Sequence, residues 1–219
     1  MRLALDAPIR TEPFVGDLGS AWAGRVMADV ERIAPELRAL GPDEYGNAQG
    51  SGDDLTGRWR HYNLFNRSTA FADAASLVGE LATQASSAFD LHLDEIRGPL
   101  ARAWANIWYR GHAIAPHVHY SHDVGEEQRC NKLAGNVYLG GDAPTTTDYF
   151  IDGEWCPVEN VAGRVTIFDA RLIHRVKAYQ GRQRMSVGMN LRTTPDFSDD
   201  EAPTDYVTLR THRLAEFDP

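Results

Sequence analysis

Residues 102–123 read RAWANIWYRGHAIAPHVHYSHD, and the fold prediction depends on this stretch. It holds four of the eight histidines in the chain. We expect its first part, Arg102–Arg110, to form a β-strand. If the second part is also extended, His117 and His119 project to the same side, because side chains alternate across a strand. Pro116 favours this pair, because it holds the preceding chain extended and marks the start of a strand.

Two histidines on one strand face indicate a metal site. Imidazole suits borderline transition ions, and a pair on one face offers two ligands to a single ion. A third ligand must come from another strand, and His174 is the candidate, 55 residues after His119. Two other ligand pairs compete nearby, in which Asp123 joins either His119 or His122.

A second cluster follows His174 and reads GRQRMSVGMN over residues 181–190. On a strand, Arg184, Ser186, Gly188 and Asn190 share one face. An arginine buried inside a β-structure needs an anion, because an unpaired buried charge is costly. A guanidinium matches a carboxylate with two parallel hydrogen bonds, and a nearby hydroxyl adds another. Arg184 with Ser186 therefore predicts a carboxylate-binding pair.

The remaining sequence predicts a mainly β protein with N-terminal helices. Apolar residues recur every three or four positions from Leu18 to Leu40, which indicates an amphipathic helix. A second helix is expected over Ser68–Phe89, with Ser68 as its N-cap. After Gly98-Pro99 the segments become short and β-like, typical of a sandwich or barrel. The expected strands are Arg102–Arg110, Lys132–Leu139, Asp148–Ile151, Arg164–Phe168, Ile173–Tyr179, Arg184–Leu191 and Asp205–Arg213.

Length and composition predict one globular domain over residues 1–219, with helical support in 1–98 and a β core in 99–219. The net charge of −9 argues against nucleic acid as a partner. No apolar run has the ~20 residues of a membrane span, and the N-terminus lacks the apolar region of a signal peptide. We therefore expect a cytoplasmic protein with no membrane partner. Cys130 and Cys156 are too far apart in sequence for a CxxC pair.

These motifs resemble the Fe(II)/2-oxoglutarate-dependent dioxygenases, in particular the prolyl-hydroxylase branch and a group of small bacterial oxygenases. That family carries Pro-His-x-Asp, and this chain has PHVH over residues 116–119. The distal family motif is a glycine-led strand ending in Phe, then His-x-Val, then Arg-x-Ser. The matching residues here are Gly163–Phe168, His174–Val176 and Arg184–Ser186. The resemblance implies a double-stranded β-helix, a jelly-roll or cupin-like barrel, with helices packed against its major sheet.

The resemblance also implies the cofactors. Fe(II) would be held by His117, His119 and His174, and O₂ and 2-oxoglutarate would complete the reaction. The distal carboxylate of 2-oxoglutarate would meet Arg184 and Ser186. The expected reaction is oxidation of a substrate C–H bond, most often hydroxylation, with release of succinate and CO₂. The substrate would be a small molecule or amino-acid-like compound.

Strand alternation suggests further pocket residues. Asn136 and Tyr138 share a face, and the Tyr138 hydroxyl is a candidate to bind 2-oxoglutarate. Asn106, Trp108 and Arg110 share another face, which is either a substrate-binding wall or an outer surface packed on the helices. A homodimer through edge strands is possible in such folds, although nothing in the sequence indicates it.

The third ligand departs from the family pattern, which has a carboxylate where this chain has His119. Three interpretations stay open: His119 is the ligand, the position is open, or Asp123 supplies the carboxylate. We favour His119, because alternation aims it where the family's Asp points. A neutral ligand would leave the site one unit more positive than in the family.

Other classes of protein remain as alternatives. A cupin-type isomerase or non-oxoglutarate dioxygenase would use His117, His119, Asp123 and His174. Cys130 stands where the first cupin motif needs glycine, and the second cupin motif is absent around His174. Two further alternatives are a ligand-binding barrel without metal and a zinc hydrolase or hydratase. The cupin and zinc alternatives give Arg184 no role.

Overall fold

The computed structural model describes residues 12–40, 55–89, 100–119, 131–192 and 207–209. The helical part consists of α1 (Ser20–Ala39), 3₁₀ helices at Leu55–His61 and Leu64–Asn66, α2 (Thr69–Asp73) and α3 (Ala75–Ala88). The first predicted helix is confirmed, whereas the second is broken at Ala74 into α2 and α3. The predicted N-cap is confirmed, because Ser68 Oγ accepts from the Phe71 N–H (3.1 Å).

Ten strands make up the rest of the described chain. They are β1 (Phe14–Asp17), β2 (Leu100–Tyr109), β3 (Ile114–His117), β4 (Asn131–Gly141), β5 (Thr146–Ile151), β6 (Glu154–Glu159), β7 (Arg164–Asp169), β8 (His174–Val176), β9 (Gln183–Arg192) and β10 (Val207–Thr208). Each of the seven predicted strands has a counterpart, although β8 ends at Val176 rather than Tyr179. Strands β1 and β6 were not predicted, and β3 was expected only as an extended segment that starts near Pro116 and carries His117 and His119. Strand β6 contains Pro157, which weakens a strand pattern, and it lies at a sheet edge, where proline is tolerated.

The strands form two antiparallel sheets. The six-stranded major sheet has the order β1-β7-β4-β9-β2-β10, and the four-stranded minor sheet has the order β3-β8-β5-β6. From β4 to β9 the chain alternates between the sheets, with β5, β6 and β8 in the minor one. This arrangement is the predicted double-stranded β-helix, built as two separate sheets rather than one closed ring.

Strand alternation divides the major sheet into an outer and an inner face. Strands β2 and β9 pair along their full length, with Asn106 opposite Ser186 and Trp108 opposite Arg184. Their odd-numbered residues, such as Val187, join a core cluster with α1 residues such as Val26. Full burial of a valine side chain of this kind contributes about 1.5–3 kcal/mol. The even-numbered residues are thereby directed to the inner face, toward the minor sheet.

The helical region also fixes one edge of β2. Tyr62 Oη accepts from the Ala105 N–H (2.9 Å). Asn63 accepts from the Ala103 N–H (3.1 Å) and donates to the Ala101 carbonyl (3.0 Å). These side chains satisfy backbone groups of β2 at Ala101, Ala103 and Ala105, so β2 keeps a fixed register along the inner face.

Several features named from the sequence lie outside the described residues: His122, Asp123, Cys130, Gly98-Pro99 and most of the predicted strand 205–213. Among the helices that the structure describes, none is long and apolar enough to cross a membrane.

Candidate metal centre

Three histidines meet between the two sheets. His117 is the last residue of β3, and it pairs with His174, the first residue of β8. His119 follows β3, and its backbone N–H donates to the Ala170 carbonyl (2.8 Å), which anchors this segment to the turn after β7. One ligand atom from each histidine lies within 4.8 Å of the others. The HxH spacing and the distant strand histidine therefore come together as one potential metal-binding group.

Hydrogen bonds orient all three rings. The Nδ1 atoms of His117 and His174 lie 3.0 Å from the carbonyls of Ala115 and Leu172. A carbonyl only accepts, so both Nδ1 atoms carry the proton and both Nε2 atoms keep a lone pair. His119 Nδ1 lies 2.6 Å from Asn190 Oδ1, which has the same consequence. In each ring Nε2 is thus the nitrogen with the lone pair that a metal ion would bind.

The histidines are held in their neutral form. Burial lowers the pKa of His117. Burial, together with the neighbouring His117, lowers the pKa of His119 to about 3. The pKa of His174 is well below its usual value, first through burial and then through repulsion by His117 and His119. Neutral imidazole is the form that binds metal, so burial favours the ligand state at neutral pH.

Aromatic packing fixes the His119 ring. The Trp104 ring stacks on it at a centroid distance of 5.7 Å and an interplanar angle of 24°. Trp104 in turn lies against Gly188, where an added Cβ would meet the indole atoms Cε2 and Cζ2 at 2.7 Å. Phe168 contacts the His174 ring edge-on at 4.7 Å. Gly188 therefore makes room for the indole that supports His119.

Arg184 carries a buried charge on the same inner face. It is 2% exposed, and its Nη1 and Nη2 donate to Thr145 Oγ1 (3.2 Å) and Ser186 Oγ (3.3 Å). Its Nε has no hydrogen-bond partner, and no carboxylate in the described part of the chain pairs with it. Burial lowers the pKa of Arg184 to about 10, so the group remains charged at neutral pH. A buried guanidinium without a counter-ion indicates a site for an anion.

A single cavity of about 270 Å³ connects the histidines with Arg184. Eight of the ten residues predicted for the site line it: Asn106, Trp108, Asn136, His117, His119, His174, Arg184 and Ser186. The sequence left open whether this face of β2 is a pocket wall or an outer surface packed on the helices. Asn106 and Trp108 line the cavity, so at these two residues it is a pocket wall. The cavity has room for a small dicarboxylate beside a metal ion.

Two predicted site residues are not among those that line the cavity. Tyr138 is buried, and its ring centre lies 5.7 Å from Arg184 Cζ, so it contacts the arginine rather than the cavity. Arg110 is exposed and is not among the residues that line the cavity, and its role in substrate binding stays a prediction. Strand β2 ends at Tyr109, and the chain then turns at Gly111, whose φ is +86°. The alternation therefore stops before it reaches Arg110.

Other cavity residues were not predicted as site residues. Asn190 and Trp104 lie on the same faces as predicted site residues, so alternation had already placed them there. Thr56 had no sequence signal, because it lies in a 3₁₀ helix far from the motifs. Its hydroxyl donates to Asn106 Oδ1 (2.6 Å) and closes the cavity from the helical side.

Comparison with known proteins gives a fold match. No family model and no curated protein sequence matches the chain. A *Pseudomonas putida* prolyl-4-hydroxylase is similar in structure, with TM-score 0.57, 15% identity and 87% and 95% coverage of this chain and that chain. The chain therefore shares the fold of this prolyl-4-hydroxylase.

Two further structures give the same result. A prolyl hydroxylase from *Trichoplax adhaerens*, in complex with a hypoxia inducible factor peptide fragment, matches with TM-score 0.55 and 11% identity, covering 83% of this chain and 84% of that chain. AviO1 from *Streptomyces viridochromogenes* Tue57 matches with TM-score 0.55 and 17% identity, covering 91% and 94%. At these identities the comparison establishes the fold, and the chemistry must be argued from the residues.

Proposed function

We propose that this protein is a non-haem Fe(II)- and 2-oxoglutarate-dependent oxygenase. The observation that carries the proposal is the common cavity of the histidine triad and Arg184. A metal site alone fits many activities. The same cavity holds a buried guanidinium that pairs with no carboxylate of the described residues. This fits a metal-bound ligand with a second, anionic end, and 2-oxoglutarate has this shape and charge.

The residues present fit both cofactors. His117, His119 and His174 offer three neutral imidazole nitrogens, a donor set suited to Fe(II). Arg184 and Ser186 would hold the distal carboxylate of 2-oxoglutarate. Fe(II), 2-oxoglutarate and O₂ together supply the oxidant for a substrate C–H bond, with succinate and CO₂ as products.

The protein's own contribution is orientation and exclusion of water. Backbone carbonyls and Asn190 fix the histidine tautomers. Trp104 and Phe168 surround the rings with apolar surface, which limits access of water to the metal. Asn106 keeps Ser186 in place, because its Nδ2 lies 3.4 Å from the Ser186 hydroxyl. We propose that Tyr138 and Asn136 support the co-substrate end, Tyr138 through its contact with Arg184 and Asn136 from the cavity wall.

The third ligand in this proposal is His119. Its position within 4.8 Å of the other two ligands supports a three-histidine set in place of the family's two histidines and one carboxylate. The bound metal would then carry one more unit of positive charge than in that arrangement. The cupin alternative needs Asp123 as a fourth ligand and leaves Arg184 without a role, so the oxygenase fits the cavity better.

The primary substrate is proposed to be a small molecule or an amino-acid-like compound. Asn106 and Trp108 line the cavity and are the proposed contacts, with Trp108 offering an indole N–H that has no partner among the described residues. The *Trichoplax* structure contains a peptide, so the side chain of a peptide is the second substrate class to test. Hydroxylation is the proposed outcome.

The test is oxygen-dependent conversion of 2-oxoglutarate to succinate. The purified chain is loaded with Fe(II), supplied with 2-oxoglutarate in air, and followed by proton NMR. Slow succinate formation is expected even without the primary substrate, and it should vanish under nitrogen and with a chelator. Arg182→Met, at an exposed arginine, is the matched control and should keep the rate. A metal-loaded chain that forms no succinate above the chelated control would contradict the proposal.

A further inference from the structure

His119 differs from the other two histidines in the hydrogen-bond partner of its Nδ1 atom. His117 and His174 each bond the backbone carbonyl two residues earlier, Ala115 and Leu172. This local arrangement needs no other part of the fold. His119 instead bonds Asn190 Oδ1 at 2.6 Å, across 71 residues of sequence, on strand β9 of the opposite sheet.

The partner of His119 is itself buried and fixed. Asn190 is 3% exposed and lies on the inner face of β9 with Ser186 and Arg184. Its backbone is paired on both sides, opposite Arg102 of β2 and Ala134 of β4. A rigid strand therefore presents one amide oxygen to one imidazole nitrogen.

A histidine ligand needs this hydrogen bond, whereas a carboxylate ligand does not. An aspartate in this position would bind metal through either oxygen. An imidazole has a second nitrogen, whose proton must find an acceptor when it is buried. An acceptor at Nδ1 places the proton there and leaves Nε2 for the metal. Without it, the ring is free to take the other tautomer or to rotate.

We propose that Asn190 is the positioning residue that makes His119 the third metal ligand. This inference rests on the metal site of the proposed function. It goes further than that proposal, because a residue outside the ligand set then determines which side chain is the third ligand. Trp104 holds the plane of the His119 ring by stacking, and Asn190 sets its rotation and its tautomer.

The test is a double-mutant cycle on metal affinity, measured without turnover. Ni(II) is titrated calorimetrically into the full metal-free chain. Asn190→Leu keeps the branching of the side chain and removes the acceptor, and we expect a 10- to 100-fold weaker Kd, the range for loss of a residue that orients a ligand. In the His119→Ala background the same substitution should change the Kd by less than about threefold, because its target is gone.

Asn190→Asp supplies the rescue. It retains an oxygen acceptor, so the Kd should stay within about threefold of wild type or become tighter. Unfolding of each metal-free variant in urea is measured alongside, so that a loss of folding is not read as a loss of binding. A purely structural asparagine would weaken Ni(II) binding equally with and without His119, and that result would overturn the inference.

The other outcomes are also decisive. A wild-type affinity in Asn190→Leu overturns the inference directly. A His119→Ala variant that binds Ni(II) as the wild type does overturns it too, because His119 is then not a ligand. If the cycle behaves as expected but 2-oxoglutarate does not bind, the oxygenase proposal fails while the role of Asn190 stands.

Discussion

The substitution Arg184→Met tests whether Arg184 binds a ligand or only supports the fold. Arg184 is 2% exposed, and its Nε has no hydrogen-bond partner among the described residues. Its Nη1 and Nη2 donate to the neutral hydroxyls of Thr145 and Ser186. In the metal-loaded protein we expect the substitution to remove charge-assisted hydrogen bonds to the co-substrate. Such bonds are worth about 1.5–3 kcal/mol, which is about a 10- to 150-fold loss of affinity.

The same substitution should not harm the metal-free protein. Replacing a buried charge that lacks a counter-ion with an apolar side chain removes a desolvation cost. The free energy of unfolding in urea should therefore stay within about 1 kcal/mol of wild type or rise. An arginine that served only the fold would give the opposite result, with stability lost and co-substrate affinity kept.

The assay compares two keto acids on the Ni(II)-loaded chain, where no turnover occurs. The compound 2-oxopentanoate keeps the metal-binding end of 2-oxoglutarate but lacks the distal carboxylate. The wild type should prefer 2-oxoglutarate, and Arg184→Met should bind the two compounds about equally. Arg182→Met is the matched control, because Arg182 is exposed and pairs with Asp142 on the surface. An unchanged preference in Arg184→Met would refute the reasoning.

Three further outcomes are expected. Gly188→Ala should weaken Ni(II) binding and lower stability, because its Cβ would meet the Trp104 ring at 2.7 Å. Gly24→Ala, at an open helix position, is the control and should leave Ni(II) binding unchanged. Equal Kd values for the two variants would contradict the role of Gly188. The metal-free protein should lose stability in urea as the pH falls from 7 to 5, because unfolded histidines take up protons below about pH 6.5 while the buried ones, with lowered pKa values, do not; a flat profile would contradict the burial of the triad. Ni(II) at 100 times its Kd should stabilise the wild type by about 2.7 kcal/mol in thermal unfolding and should leave His174→Ala, scanned at the same Ni(II) concentration, largely unshifted.

The period of a β-strand explains most of what the sequence predicted. Alternation put His117 and His119 on one face and Arg184 and Ser186 on another, and it needs only local extension of the chain. The same reasoning does not extend to Arg110, which lies beyond the end of β2, because the end of a strand depends on its partners. Strand β2 stops pairing at Tyr109, opposite Gln183 of β9.

Contacts between distant elements were beyond the sequence. Alternation placed Asn190 on the inner face of β9, but its bond to His119 depends on how closely that strand approaches the segment after β3. Thr56 reaches Asn106 from a 3₁₀ helix that no periodicity indicated. Such pairs depend on the packing of the two sheets and the helical layer, which a pattern along one segment does not contain.

The most direct test of the oxygenase proposal is an anaerobic titration of the metal-free chain with Fe(II) and then 2-oxoglutarate. The predicted result is a visible charge-transfer band for the chelate. The band should weaken in Arg184→Met, vanish in His119→Ala and survive in Asp123→Ala. Fe(II) binding with no band on addition of 2-oxoglutarate would contradict the proposed function. A band that survives in His119→Ala but not in Asp123→Ala would move the third ligand to Asp123.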